Sequence, residues 1–197
     1  QVLRKSGWRP EELHGIGIGC AGPVNPLRGT IHNPYTLPGW DGCDIVTPLR
    51  EKFAVPAFLE NDADVAALGE CFVGAGRGCN PVVMLTFGTG IGGSAIVNGD
   101  ILRGAAGEHP EIGHVPVAAE GPPCYCGRAG CLESIASGTG IENAGRNVGF
   151  TGCREIFAAA ALGNASAREI VDQALRATEV AAWTILHTLM PERIVLG

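Results

Sequence analysis

One histidine and three cysteines, His114, Cys124, Cys126 and Cys131, fall within eighteen consecutive residues of this chain. Three thiolates and one imidazole make a closed tetrahedral set for Zn²⁺. Gly127, Gly130 and the Pro122-Pro123 pair bend the intervening backbone tightly enough to bring the four together. A closed set leaves no coordination position for a water nucleophile, so the metal is expected to be structural. Carboxylates bracket it, because Glu111 lies three residues before His114 and Glu133 two residues after Cys131. A rigid metal loop that presents two carboxylates suits the binding of a polyol. Two rival readings exist: cysteines as small buried hydrophobes, and a disulfide. The first residues contain no apolar core of signal length, which points to a reducing cytoplasm, where clustered cysteines favour metal.

Two further segments carry chemical potential. Leu59-Glu60-Asn61-Asp62-Ala63 places an Asn-Asp pair where a strand meets a helix, a usual ligand position in α/β folds. A carboxylate there can take a proton from a hydroxyl; the plainer alternative is helix N-capping by Asp62 or Asp64. Gly88-Thr89-Gly90-Ile91-Gly92-Gly93 is glycine-rich, so its backbone N–H groups can approach a phosphate closely. It lacks the Gly-Lys-Ser/Thr ending of a Walker A loop, and a strand follows it where a dinucleotide fingerprint would have a helix. A plain turn is the alternative. Glu111 could be a solvated charge and Glu133 a partner of a metal ligand. Taken together, the Asn-Asp pair, the phosphate-type hairpin and the carboxylate-flanked knuckle suggest phosphoryl transfer to a sugar hydroxyl.

The elements that must position these residues follow from apolar spacing. Residues 13–21 predict a buried strand ending at a Gly22-Pro23 turn, and Leu37-Pro-Gly-Trp40 a turn with an aromatic anchor. Thr47 to Phe53 predicts a helix with Thr47 as N-cap and Pro48 in its first turn. Pro56 to Leu59 predicts a short strand and Ala63 to Phe72 a helix. Val82–Phe87 and Ser94–Val97 flank the glycine-rich hairpin, with a second turn at Asn98-Gly99. From Ser134 the chain is Ala-rich and helical with breaks near 149–152 and 163–164, and Ile194 to Leu196 begins a strand. The 197 residues are 46% hydrophobic, enough for a sizeable core. A net charge of −6 argues against a nucleic-acid surface in this segment, and no apolar run approaches membrane-spanning length. Cys20, Cys43, Cys71, Cys79 and Cys153 are scattered and are expected to be core or surface thiols.

Glu111-Ile-Gly-His114 followed by Cys124-x-Cys126-Gly-x-x-Gly-Cys131-x-Glu133 resembles the signature of the ROK family of repressors, open reading frames and sugar kinases. Leu59 to Ala63 resembles the family's catalytic segment, and Leu85 to Gly93 its second phosphate motif; the resemblance runs from about Gly15 to the last residue. It implies an α/β, actin-like and ribonuclease-H-like ATPase fold of two lobes, here a partial N-terminal lobe (1–62) and a larger C-terminal lobe with the zinc loop (63–197). By the same resemblance Asp62 is the general base, and Asn61, Glu111, His114 and Glu133 bind sugar hydroxyls. His114 joins the zinc ligands Cys124, Cys126 and Cys131 through one ring nitrogen and reaches sugar through the other, while Gly88, Thr89 and Gly90 hold nucleotide phosphates. The cofactors implied are structural Zn²⁺ and ATP with Mg²⁺, and the implied assembly is a homodimer.

Three features depart from the family pattern. The Asp-x-Gly-x-Thr hairpin of the first phosphate motif is not found, nor is the glycine-rich adenosine segment expected after Gly197, so the chain reads as an internal segment that would not turn over alone. Tyr35-Thr36 stands where relatives often have Pro-Asn, which leaves the sugar open among glucose, N-acetylmannosamine, N-acetylglucosamine and fructose. The leading expectation is an ATP-dependent hexose kinase. The alternatives are the sugar-sensing part of a ROK repressor and a zinc-stabilised carbohydrate-binding module. The Asn-Asp pair and the hairpin, usually eroded in the repressors, favour the kinase.

Overall fold

A computed structural model of the chain describes residues 5–34 and 36–197. It divides into two compact units, Gln1–Ala66 and Ala67–Gly197. Tyr35, one of the residues that depart from the family pattern, lies outside the described residues. Its neighbour Thr36 closes a turn with Asn33: the Thr36 amide donates to Asn33 Oδ1 at 2.9 Å, and Asn33 Nδ2 donates to Thr36 Oγ1 at 2.7 Å.

The first unit is built on two parallel strands, β1 (Ile16–Cys20) and β4 (Ala57–Asn61), paired from Ile16↔Ala57 to Cys20↔Asn61. A small antiparallel pair, β2 (Val24–Asn25) and β3 (Thr30–Ile31), lies between them in sequence. Alternation along β4 buries Ala57, Leu59 and Asn61 and exposes Phe58, the period-two signature of a strand with one covered face. Ile31, Val46, Ala57 and Leu59 form its core. Helix α1 (Thr47–Phe53) matches its expected span, but its cap does not. Asp44 Oδ1 accepts from the amides of Val46 (3.0 Å) and Thr47 (2.9 Å), so Asp44 rather than Thr47 satisfies the first orphan donors. Hydrogen bonds from Thr47 hold the Asp44 carboxyl below its usual range. The Leu37-Pro-Gly-Trp40 turn is a 3₁₀ helix over Pro38–Trp40.

Helix α2 (Asp62–Val73) follows β4 directly. The second unit holds a four-stranded sheet of order β7-β6-β5-β8, with β5 (Val82–Phe87), β6 (Ile91–Val97), β7 (Asp100–Ile101) and β8 (Arg193–Leu196). β5 pairs antiparallel with β6 and parallel with β8, and Val82 to Leu85 are all buried, as a central strand requires. Four helices lie between β7 and β8 in sequence: α3 (Leu132–Ala136), α4 (Gly138–Arg146), α5 (Cys153–Ala161) and α6 (Ala165–Thr188). α6 buries Ala167, Ile170, Ala174, Ala177, Ala181 and Ile185, a stripe at three- and four-residue spacing. Its alanines let Leu132 of α3 and Ile156 of α5 pack closely on it in one core. Among the described residues no helix is long and apolar enough to cross a membrane.

Candidate functional site

The end of β4 delivers Asn61 and Asp62 to the start of α2 with opposite environments. Asn61 is buried, and its Oδ1 accepts from the amides of Ala63 (2.8 Å) and Asp64 (3.3 Å). Asn61 is therefore the helix cap, a role sequence reasoning had weighed for Asp62 or Asp64. Capping engages its oxygen and leaves Nδ2 as the atom it can offer a ligand. Asp62 is exposed, and its neighbour Ala63 N donates to Oδ1 at 3.0 Å. Its carboxylate stands in the first turn of a twelve-residue helix.

In the second unit the Gly88-Thr89-Gly90 tip joins β5 to β6. Its carbonyls face the start of α4: Gly138 N donates to Gly88 O (2.8 Å), and Thr139 Oγ1 donates to Thr89 O (2.8 Å). The other side of the tip meets Glu133, in the first turn of α3, whose Oε2 accepts from Ile91 N at 2.7 Å. A β-carbon at Gly90 would meet the Glu133 carboxylate, so a larger residue there would have to displace that side chain from Ile91. One carboxylate thus ties the hairpin to the metal-ligand loop.

Glu111 opens a 3₁₀ turn, Ile112–His114, which lies against β6; His114 N donates to Glu111 O at 2.9 Å. Gly113 makes that approach possible, since a β-carbon would collide with the Ile91 carbonyl oxygen. Gly113→Ala should therefore lower stability by about 1–3 kcal/mol, the usual cost of overpacking against backbone. Chemical denaturation checks this, and an unchanged midpoint would contradict the packing. Glu111 itself is exposed and pairs with His109 Nε2 at 3.6 Å.

His114, Cys124, Cys126 and Cys131 converge, with one ligand atom from each lying within 4.8 Å of the others. Tetrahedral zinc ligation would set sulfurs about 3.8 Å apart and S···N pairs about 3.5 Å apart. Cys126 and Cys131 Sγ are 3.6 Å apart, and Cys124 Sγ is 3.3 Å from His114 Nδ1, so the donor set fits such an ion. Backbone bonds shape the loop: Cys124 N to Arg128 O (2.8 Å), Gly127 N to Cys124 O (3.1 Å) and Gly130 N to Pro122 O (3.0 Å). Burial pushes the Cys131 thiol up to about 12 and raises Cys124, whereas a backbone hydrogen bond at Arg128 lowers exposed Cys126.

Sequence reasoning missed Tyr125. Its hydroxyl lies 3.1 Å from His114 Nε2, and the two rings meet edge to face at 4.9 Å. The pKa of its phenol is raised, first by burial, then by the nearby Glu133 and Glu111 carboxylates. The only signal available was its place between two ligands in Cys124-x-Cys126.

The predicted residues thus fall into two sets. Asn61 and Asp62 adjoin in the first unit; the second brings His114 to the three cysteines and links Glu133 to the hairpin of Gly88, Thr89 and Gly90. The sequence profile described as "ROK family" matches residues 3–197. The chain belongs to the ROK family. A ROK relative, the glucokinase of Halalkalibacterium halodurans, is 36% identical over 203 residues, covering 94% of this chain and 61% of its own. The xylose repressor of Bacillus spizizenii is 37% identical over 128 residues, covering 65% of this chain and 33% of its own. The ROK hexokinase structure from Thermus thermophilus superposes with a TM-score of 0.87 at 36% identity, over 99% of this chain and 64% of that one. A ROK glucokinase from Streptomyces griseus, in complex with glucose and AMPPNP, gives 0.78 at 27% identity, over 100% and 69%. The chain therefore spans about three-fifths of the length of its glucokinase relative. Its α/β architecture is that of the ROK sugar kinases.

Proposed function

We propose that the chain is part of an ATP-dependent hexose kinase, with glucose as the first substrate to test, built on the actin-like, ribonuclease-H-like fold with lobes 1–62 and 63–197. The observation that carries this reading is Glu133, whose carboxylate joins the phosphate-type hairpin at Ile91 to the carboxylate-bearing metal loop. The retained Asn61–Asp62 junction and the likeness to a glucokinase seen with glucose and AMPPNP support it.

Roles are assigned residue by residue. Asp62 takes the proton from the acceptor hydroxyl as that oxygen attacks the γ-phosphorus and ADP leaves. Asn61, Glu111, His114 and Glu133 hold sugar hydroxyls, and the backbone of Gly88, Thr89 and Gly90 holds phosphate oxygens. Mg²⁺ bound with ATP would supply charge neutralisation at the transferring group. His114 Nδ1 and the thiolates of Cys124, Cys126 and Cys131 would hold a Zn²⁺ that fixes the loop. Glu111→Gln is expected to weaken sugar binding by about 1.5–3 kcal/mol, the worth of a charge-assisted hydrogen bond, with kcat changed far less. A sugar titration of both proteins checks it; equal affinities would remove Glu111 from the site.

A sugar-sensing role in a repressor is the second reading, and the xylose-repressor likeness favours it. A coupled assay with ATP, Mg²⁺ and a hexose panel on the full-length protein decides. Turnover of one hexose supports the kinase; saturable sugar binding without turnover supports the sensor.

A further inference from the structure

Tyr125 follows Cys124 and precedes Cys126, so both of its backbone neighbours are candidate metal ligands. Tyr125 is 68% exposed, and moving its side chain aside involves two torsions. His114 Nδ1 faces Cys124 Sγ at 3.3 Å, as a metal ligand would. With that nitrogen ligated, the ring hydrogen sits on Nε2. Nε2–H then donates to the Tyr125 hydroxyl oxygen 3.1 Å away. The Glu133 carboxylate lies near enough for its charge to act on the same phenol. A sugar hydroxyl bound at His114 Nε2 would take the same donor in the same place, and both cannot fit.

We infer that the Tyr125 hydroxyl is a built-in competitor for sugar, occupying the position opposite His114 Nε2 until a hexose displaces it, and so setting affinity and selectivity. The inference rests on the reading of this loop as a sugar site. The bond between His114 and Tyr125 must break before sugar enters, so only a hydroxyl that can accept from Nε2–H recovers it.

Tyr125→Phe keeps the ring and removes the competitor. Calorimetric titration of the full-length, metal-loaded protein with glucose should show binding about 2- to 10-fold tighter in Tyr125→Phe than in wild type, the range expected for losing one net hydrogen-bond competitor. Monodeoxy glucoses identify the position: the analogue lacking the displacing hydroxyl should show no gain on mutation, while the others keep it. In the sugar-free protein, ¹⁵N spectra should show His114 Nε2 shifted between wild type and Tyr125→Phe. Weaker or unchanged glucose binding in Tyr125→Phe, at equal metal content, would overturn the inference and make Tyr125 a sugar ligand or a bystander. If neither protein binds any hexose while His114 Nε2 shifts as expected, the sugar reading itself fails.

Discussion

Asp62→Asn is expected to lower kcat by about 10²–10⁴-fold, the usual contribution of a positioned general base, while sugar affinity changes little. The structure makes this test unusually clean. Asp62 adjoins a helix terminus, where substitutions often act through lost capping at about 1 kcal/mol. Here the cap is the buried Asn61, whose Oδ1 takes the amides of Ala63 and Asp64, so the fold does not depend on the charge at residue 62. The bond that Asp62 Oδ1 accepts from Ala63 N at 3.0 Å can be accepted equally by an asparagine oxygen. Removing the charge costs only a helix-dipole interaction of about 0.3–1 kcal/mol. The melting midpoint should therefore stay nearly fixed while turnover collapses. A variant with near wild-type kcat would remove Asp62 from the chemistry, and one that loses stability and activity together would show that the residue is structural.

Metal removal should produce the other large effect. Zinc analysis of the full-length protein should give about one Zn²⁺ per chain, with absorption spectroscopy finding Zn–S near ~2.3 Å and Zn–N near ~2.0–2.1 Å. Structural zinc contributes about 10–16 kcal/mol of binding free energy in small domains, and folding and ligation are linked. Cys131 is fully buried and precedes Leu132, itself part of the core with α6, so loss of the ion should propagate from the loop into that core. Chelation should lower the melting midpoint and abolish sugar binding. The pH sense follows from the thiols. Burial holds Cys131 near 12 and raises Cys124 in the metal-free state, so ligation must expel protons and zinc uptake weakens as pH falls. Undiminished sugar affinity in a zinc-free sample would sink the structural role.

Much of this was legible because it is local. The short strand expected over Pro56–Leu59 and the helix expected from Ala63 to Phe72 put the Asn-Asp pair at a strand-to-helix junction, where it is found, although Val65 and Phe72 of the expected apolar spacing are exposed. The four metal-type donors announce themselves by residue type and short spacing. Caps were harder, since Asn61, Asp62 and Asp64, or Asp44 and Thr47, have similar capping propensities, and the backbone's entry direction selects among them. Glu133 bonding Ile91 was out of reach, because 42 residues separate them and only the packing of α3 beside the hairpin brings them together. Tyr125 was equally hidden, since nothing in a tyrosine between two cysteines says that its hydroxyl turns back onto His114.

The bond from Ile91 to Glu133 has a thermodynamic consequence. Whatever draws electron density or position from this carboxylate on the loop side alters how firmly the hairpin tip is held, and a load on the tip alters the carboxylate in return. Such linkage is reciprocal by necessity: any factor by which one occupant changes the affinity of the other must operate equally in reverse. With sugar and phosphate bound as proposed, a single side chain of α3 would be a point at which the two exchange free energy without meeting.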